Sequence, residues 1–162
     1  MKIDSTISKE EIFTRILPDI PTELDSNEVE EMMNDIGEYI FSEIFDYLAE
    51  GKSPVTGEKF QELSKSYADA QKNGDVTPNL DLNGDMLRSM QLKVEADGIT
   101  VGIFDKDQAK KAYNHNQGDT LPQRQFIPDK GEAFAADIME GIIEIIDLYK
   151  EQAGERQDSE EA

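Results

Sequence analysis

Apolar residues recur at helical spacing in two stretches of this chain and alternate in a third. Val29, Met32, Met33, Ile36, Ile40, Ile44 and Leu48 share one face of a helix predicted from about Ser26 to Glu50, and Phe41, Phe45 and Tyr47 widen that face. Asp25 or Ser26 can cap its start, Glu28 follows in the first turn, and Gly51 stands where a helix stops. A second long helix is predicted over about 132–152, with Phe134, Ile138, Ile142, Ile145 and Tyr149 as its core line. Met139, Ile143 and Ile146 broaden that line beyond an ordinary amphipathic stripe, so contact on two sides is expected, from the core and from a partner. No element is assigned before Ser26.

The alternating stretch lies between the helices. Asp97-Gly98 joins two runs of period two, and this dipeptide favours a two-residue hairpin turn because both positions need positive φ. Closing the turn there pairs Ala96 with Ile99, Val94 with Val101 and Leu92 with Ile103, all on one face. Around the hairpin, Ser53-Pro54-Val55-Thr56-Gly57 is turn chemistry, with a short helix predicted from Glu58 to about Gln71. Asn83 can cap another, Gly84 to Met90, and a third is predicted from Asp105 to about Asn114, ending near Gly118. Leu121 to Pro128 reads as an extended segment, and its two prolines suit an edge strand or a docking arm.

The fold predicted from this pattern is α+β: a small antiparallel sheet built on the hairpin at about 91–104, packed by the two long helices and the short ones. Residues 1–152 are expected to form a single domain with an N-terminal helical segment, and 153–162 an acidic, mobile tail.

Charge changes the picture. Thirty-six acids against 16 bases leave a net charge of −20, unevenly spread. Residues 1–50 carry 14 acids and 3 bases, residues 51–130 carry 12 and 11, and residues 131–162 carry 10 and 2. Two acidic end segments therefore flank a balanced middle. Asp137, Glu140, Glu144, Asp147 and Glu151 form one stripe at helical spacing, and Glu28, Glu31, Asp35 and Glu38 begin another. Like charges so spaced each cost about 0.2–0.5 kcal/mol in an isolated helix. The stripes are either the solvated faces of an acidic protein or a surface that must repel another polyanion. Such a balance argues against general nucleic-acid binding and against anionic membranes. The start Met1-Lys2-Ile3-Asp4-Ser5 lacks the apolar core of a signal peptide, and synthesis in a reducing cytoplasm is expected.

Candidate chemistry is sparse. With no Cys, thiolate zinc sites and cysteine nucleophiles are excluded, and a single His cannot serve a site that needs two imidazoles. Asp81-Leu82-Asn83-Gly84-Asp85 has the look of a calcium loop, but its glycine is two positions early and Leu92 stands where the bidentate Glu would be. His115, within Tyr113-Asn114-His115-Asn116-Gln117, reads as a loop or capping hydrogen-bonder. No phosphate loop or nucleophile elbow is present. The expectation is a non-catalytic protein without metal or cofactor.

Several of these features, in order, resemble the tail-completion or virion-morphogenesis proteins of tailed bacteriophages, a family of minor tail and neck components. The first is Ser53-Pro54-Val55-Thr56-Gly57 followed by Phe60, Leu63, Ser64 and Tyr67. Asn79 to Met90 is similar to the family's leucine, small polar, glycine, leucine and serine segment. The strand pair ending Gly98-Ile99-Thr100-Val101-Gly102-Ile103 comes next. Tyr113, His115, Asn116 and Gly118, then Leu121-Pro122-Gln123-Arg124-Gln125-Phe126-Ile127, resemble its aromatic, His, Gly and Pro-x-Arg-x-Phe signature. The likeness spans about 53–128.

The resemblance implies a small α+β virion protein at the neck or tail, forming a homo-oligomeric ring at the head-tail junction, a hexamer by preference and a dodecamer otherwise. Its partners would be copies of itself and the neighbouring connector, terminator or tail-tube proteins. Genomic DNA would pass through without specific binding, and no membrane is involved. The acidic stripes would then line the channel. Pro122, Arg124, Phe126 and Ile127 are the candidate interface anchors, since Arg and aromatic residues dominate hot spots. The competing reading puts Phe126 in the monomer core and pairs Arg124 with a local acid. Two rival functions stand beside this one: a tail terminator or head-side stopper ring, and an acidic DNA mimic that inhibits a host DNA-binding enzyme.

Overall fold

A computed structural model describes residues 1–78, 84–118 and 121–161. The expected capping role of Asn83, and the part of the phage-like segment over 79–83, lie outside the described residues. The architecture is α+β, with one antiparallel sheet and two long helices.

The sheet has four strands in the order β1-β2-β4-β3: β1 Lys2–Ile7, β2 Ile12–Leu17, β3 Gln91–Val94 and β4 Ile99–Ile103. Pairing aligns Ile3 with Ile16 and Ile7 with Ile12, then Ile12 with Ile103 and Ile16 with Ile99. That stacks isoleucines on one face across three strands, and Leu92 and Val94 continue it on the fourth. The N-terminal hairpin is an addition to the expected fold. Its alternation is interrupted on the inner face by Ser5 and Thr14, which sit opposite each other and share a buried hydrogen bond of 3.0 Å. Two polar residues at core positions hide the period of two, and their pairing makes burial tolerable.

The β3–β4 hairpin exists, in a different register. Val94 pairs with Ile99 and Leu92 with Val101, so four residues form the loop and the Glu95 N–H donates to the Gly98 carbonyl at 2.9 Å. Gly98 does not take positive φ. A Cβ there would come within 2.8 Å of the Ile16 carbonyl oxygen, so glycine serves the close approach of β2 instead of a tight turn. Asp97 is drawn to Arg15 on β2, at 2.9 Å. The slip is two residues, which returns every side chain to its predicted face.

The inner face is covered by α1, Ser26–Ala49, which begins with a capping box. Asp25 accepts from the Glu28 N–H at 2.9 Å, and the Glu28 carboxylate accepts from the Asp25 N–H at 3.0 Å. Met32, Met33, Ile36, Ile40, Ile44 and Leu48 are all buried. Two short helices follow, α2 Lys65–Gln71 and α3 Asp85–Arg88. The first is shorter than predicted, because the backbone before it is committed elsewhere. Phe60 N–H donates to Gly51, Leu63 N–H donates to Val76, and Ser64 then caps the helix. Helix α4, Lys106–Gln117, lies against β2 and β4 and adds Ala109 and Ala112 to the core. No helix among the described residues is long and apolar enough to cross a membrane.

Helix α5 runs from Ala136 to Glu161, starting later and ending later than predicted. The expected mobile tail from 153 to 161 is its last turns. Ala153 is fully buried, Arg156 pairs with Glu28 at 2.9 Å, and the Gln157 side chain donates to the Glu23 carbonyl at 3.1 Å. Polar composition suggested disorder, but one arginine facing the α1 capping box gives the segment a dock. Deleting 153–162 is expected to lower stability, through loss of the buried Ala153, the Arg156–Glu28 pair and two hydrogen bonds to the Glu23 carbonyl. Urea unfolding checks this, and an unchanged midpoint would mean an undocked tail.

Candidate interaction surfaces

The Pro122–Pro128 segment is extended, yet it forms no strand ladder and its backbone is already occupied. Arg124 N–H donates to the His115 carbonyl at 2.7 Å. The Gln125 carbonyl accepts from the Ser53 hydroxyl at 2.7 Å. Asn116, fully buried on α4, accepts from the N–H groups of both Phe126 and Ile127 at 2.8 Å, and its amide donates to the Ile127 carbonyl at 3.1 Å. A segment so used cannot also add itself as a strand to a neighbour.

The anchors predicted here divide accordingly. Phe126 and Ile127 are fully buried in the monomer core and are not interface residues of the folded subunit. Arg124 is only 6% exposed. Among the described residues it pairs with no acid; Nε and Nη2 both donate to the Gln61 carbonyl, at 3.3 and 3.0 Å. Pro122 alone of the four is exposed. The sequence order 53–57, 113–118, 121–128 is therefore the wiring of one internal unit. Ser53 also organises its own turn, accepting from the N–H groups of Val55 and Thr56 at 3.1 Å. His115 is in the last turn of α4 and not in a loop, and burial together with the nearby Arg124 charge pushes its imidazole below the ordinary value.

The acidic stripes are brought together in part. Helices α1 and α5 pack antiparallel, and among the described residues their acids meet along most of the seam without a cation, Arg156 at its end excepted. Tyrosine hydroxyls take that place. Tyr47 donates to the Asp137 carboxylate, with distances of 2.7 and 2.6 Å to its two oxygens. Tyr39 donates to the Asp137 carbonyl at 3.3 Å, and Tyr149 donates to Asp35. Tyr39 reaches across because Gly141 opposes it; a Cβ at 141 would overlap its phenol. At the far end Glu28 is taken by Arg156. So Asp137, Asp35 and Glu28 join the two helices, whereas Glu31, Glu38, Glu140, Glu144, Asp147 and Glu151 are exposed.

Sequence reasoning missed Glu43, which adds to the seam. Burial, then Asp46 and Asp137, raise its carboxyl above the ordinary value. The signal was present in the tyrosines: 39 and 47 on one helix and 149 on the other are polar-tipped aromatics beside acidic positions. Burial, the Asp137 bond and surrounding carboxylates push the Tyr47 phenol up to about 12, and Tyr149 is raised likewise by burial and Asp35.

No family model, curated protein or solved structure matches the chain.

Two outcomes follow from this geometry. Asn116→Ala removes partners from three buried backbone groups and is expected to cost on the order of 3 kcal/mol, measurable by urea unfolding. For the seam, raised phenol values mean the folded state favours the neutral tyrosine. That stability is fully present below pH 10 and is lost as pH rises from about 10 through about 12. A Tyr47→Phe, Tyr149→Phe variant is expected to decline less steeply over that window, followed by unfolding at each pH.

Proposed function

We propose that this chain is a structural protein of a tailed-bacteriophage virion, forming a ring at the head-tail junction that completes the tail or joins it to the filled head. The observation that carries the reading is the exposed acidic surface of the α1–α5 pair. Glu31, Glu38, Glu140, Glu144, Asp147 and Glu151 stay in water on the two longest helices, and the neighbouring Asp137 and Asp35 are held by tyrosine hydroxyls. A wall of that sign repels duplex phosphates, which suits a channel through which DNA must slide without sticking. The ordered likeness over 53–128 supplies the virion context. Tail terminator and head-side stopper are positions for the same kind of ring.

The internal role of Phe126 and Ile127 moves subunit contacts to other surfaces. Ile143 and Leu148, 48% and 52% exposed on α5, are the large apolar side chains available beside the stripe. DNA mimicry would use the same acidic face, but it gives no reason for the phage-like motif order. Mass spectrometry of purified virions tests the proposal. About 6 or about 12 copies per particle are expected for a single ring. Absence from particles would overturn the structural reading and favour the mimic.

A further inference from the structure

One cleft joins the buried cation of the balanced middle to an apolar wall. It has a volume of about 480 Å³ and lies between the 61–67 segment, Pro78, the end of α4 and the start of the 121–128 segment. Arg124 and His115 line it with Tyr67, while Leu63, Leu121 and Pro122 form apolar wall. A protein with 36 acids has left this guanidinium without a carboxylate among the described residues. Two of its five N–H groups are used, both on one backbone carbonyl, and Nη1 makes no hydrogen bond there. In the same wall His115 Nδ1 is buried without a partner. Burying a guanidinium against a single carbonyl is costly, and a planar anion is the group that offsets the cost.

We propose that this cleft binds a carboxylate carried on an apolar body, the carboxylate meeting Arg124 beside His115 and the body lying against Leu63, Leu121 and Pro122. A carboxylate fits better than a phosphate on two counts. The guanidinium fork matches a planar, two-oxygen acceptor. Glu62 and Lys72 also line the cleft, so its lining holds two cations and one carboxylate, a balance that a monoanion completes and a dianion overshoots. The carboxylate can belong to a free small acid or to an acidic residue of another chain, and the chemistry is the same. This inference does not depend on the virion reading.

The single histidine gives the test a clean reporter. Benzoate is titrated into the intact chain while the His115 imidazole resonance is followed, with benzyl alcohol and inorganic phosphate as parallel probes. Saturable binding of benzoate is expected with a dissociation constant on the order of 1 mM, and benzyl alcohol is expected to bind at least about 10-fold more weakly, because it cannot make the charge-assisted bonds. Arg124→Gln is expected to lose about 10-fold or more of benzoate affinity. If that variant fails to fold, the comparison of acid with alcohol on the native chain still decides. No saturation by about 20 mM, equal binding of the alcohol, or tighter binding of phosphate would each overturn the proposal. Sedimentation with and without benzoate assigns the source. Dissociation of a self-associated form supports a carboxylate from a second copy, and saturation of an unchanged monomer supports a free acid.

Discussion

Helix α1 is buried on two sides at once, and the rest of the molecule is arranged around that constraint. Its fully buried residues from Met32 to Leu48 close over the isoleucine face of the sheet, with Gly37 letting the helix sit close to Leu92 and Val94. Its flank then receives α5, whose Ile138 and Ile142 are also fully buried. Each fully buried side chain of this kind is worth about 1.5–3 kcal/mol. Two helices that carry 7 and 9 acids would otherwise have little reason to lie together. Hydrophobic burial decides the packing, and electrostatics must adapt to it.

The adaptation is chemical. Lysines at the seam would have neutralised the acids, but they would also have cancelled the field on the outer surface. Hydroxyl donors satisfy Asp137 and Asp35 without adding charge, so the helices join while the face remains negative. The one strong cation in the seam, Arg156, is placed at its end, where it clamps Glu28 and the start of α1. An acidic exterior is thus kept at no loss of interhelical bonding.

Much of this was legible in the chain. The two long helices and the sheet face of β3 and β4 are signalled by periodicity, because each is governed by burial of a continuous apolar line. The α1 capping box was equally visible in Asp25 and Glu28. What escaped were features where a polar residue does the work of packing. Ser5 and Thr14 broke the alternation of the first hairpin while satisfying each other. Arg156 docked a segment whose composition resembled a free tail. The 121–128 segment looked like an arm because its partner groups, Asn116 and Ser53, lie 10 and 72 residues away and leave no local trace. Phe126 was a hot-spot residue type in a core position, a distinction that residue type alone cannot make.

The long helices are wired directly into the unit that holds Arg124, since the Ala135 N–H just before α5 donates to the Pro54 carbonyl at 2.8 Å. Gly51 ends α1 close to Thr77 and Pro78, so this helix delivers the chain directly into the same unit. A rigid helix of 24 residues spans about 36 Å, several times the Debye length at physiological salt, about 8 Å. Over that distance the acids of its first turns are screened from groups at its C-terminal end.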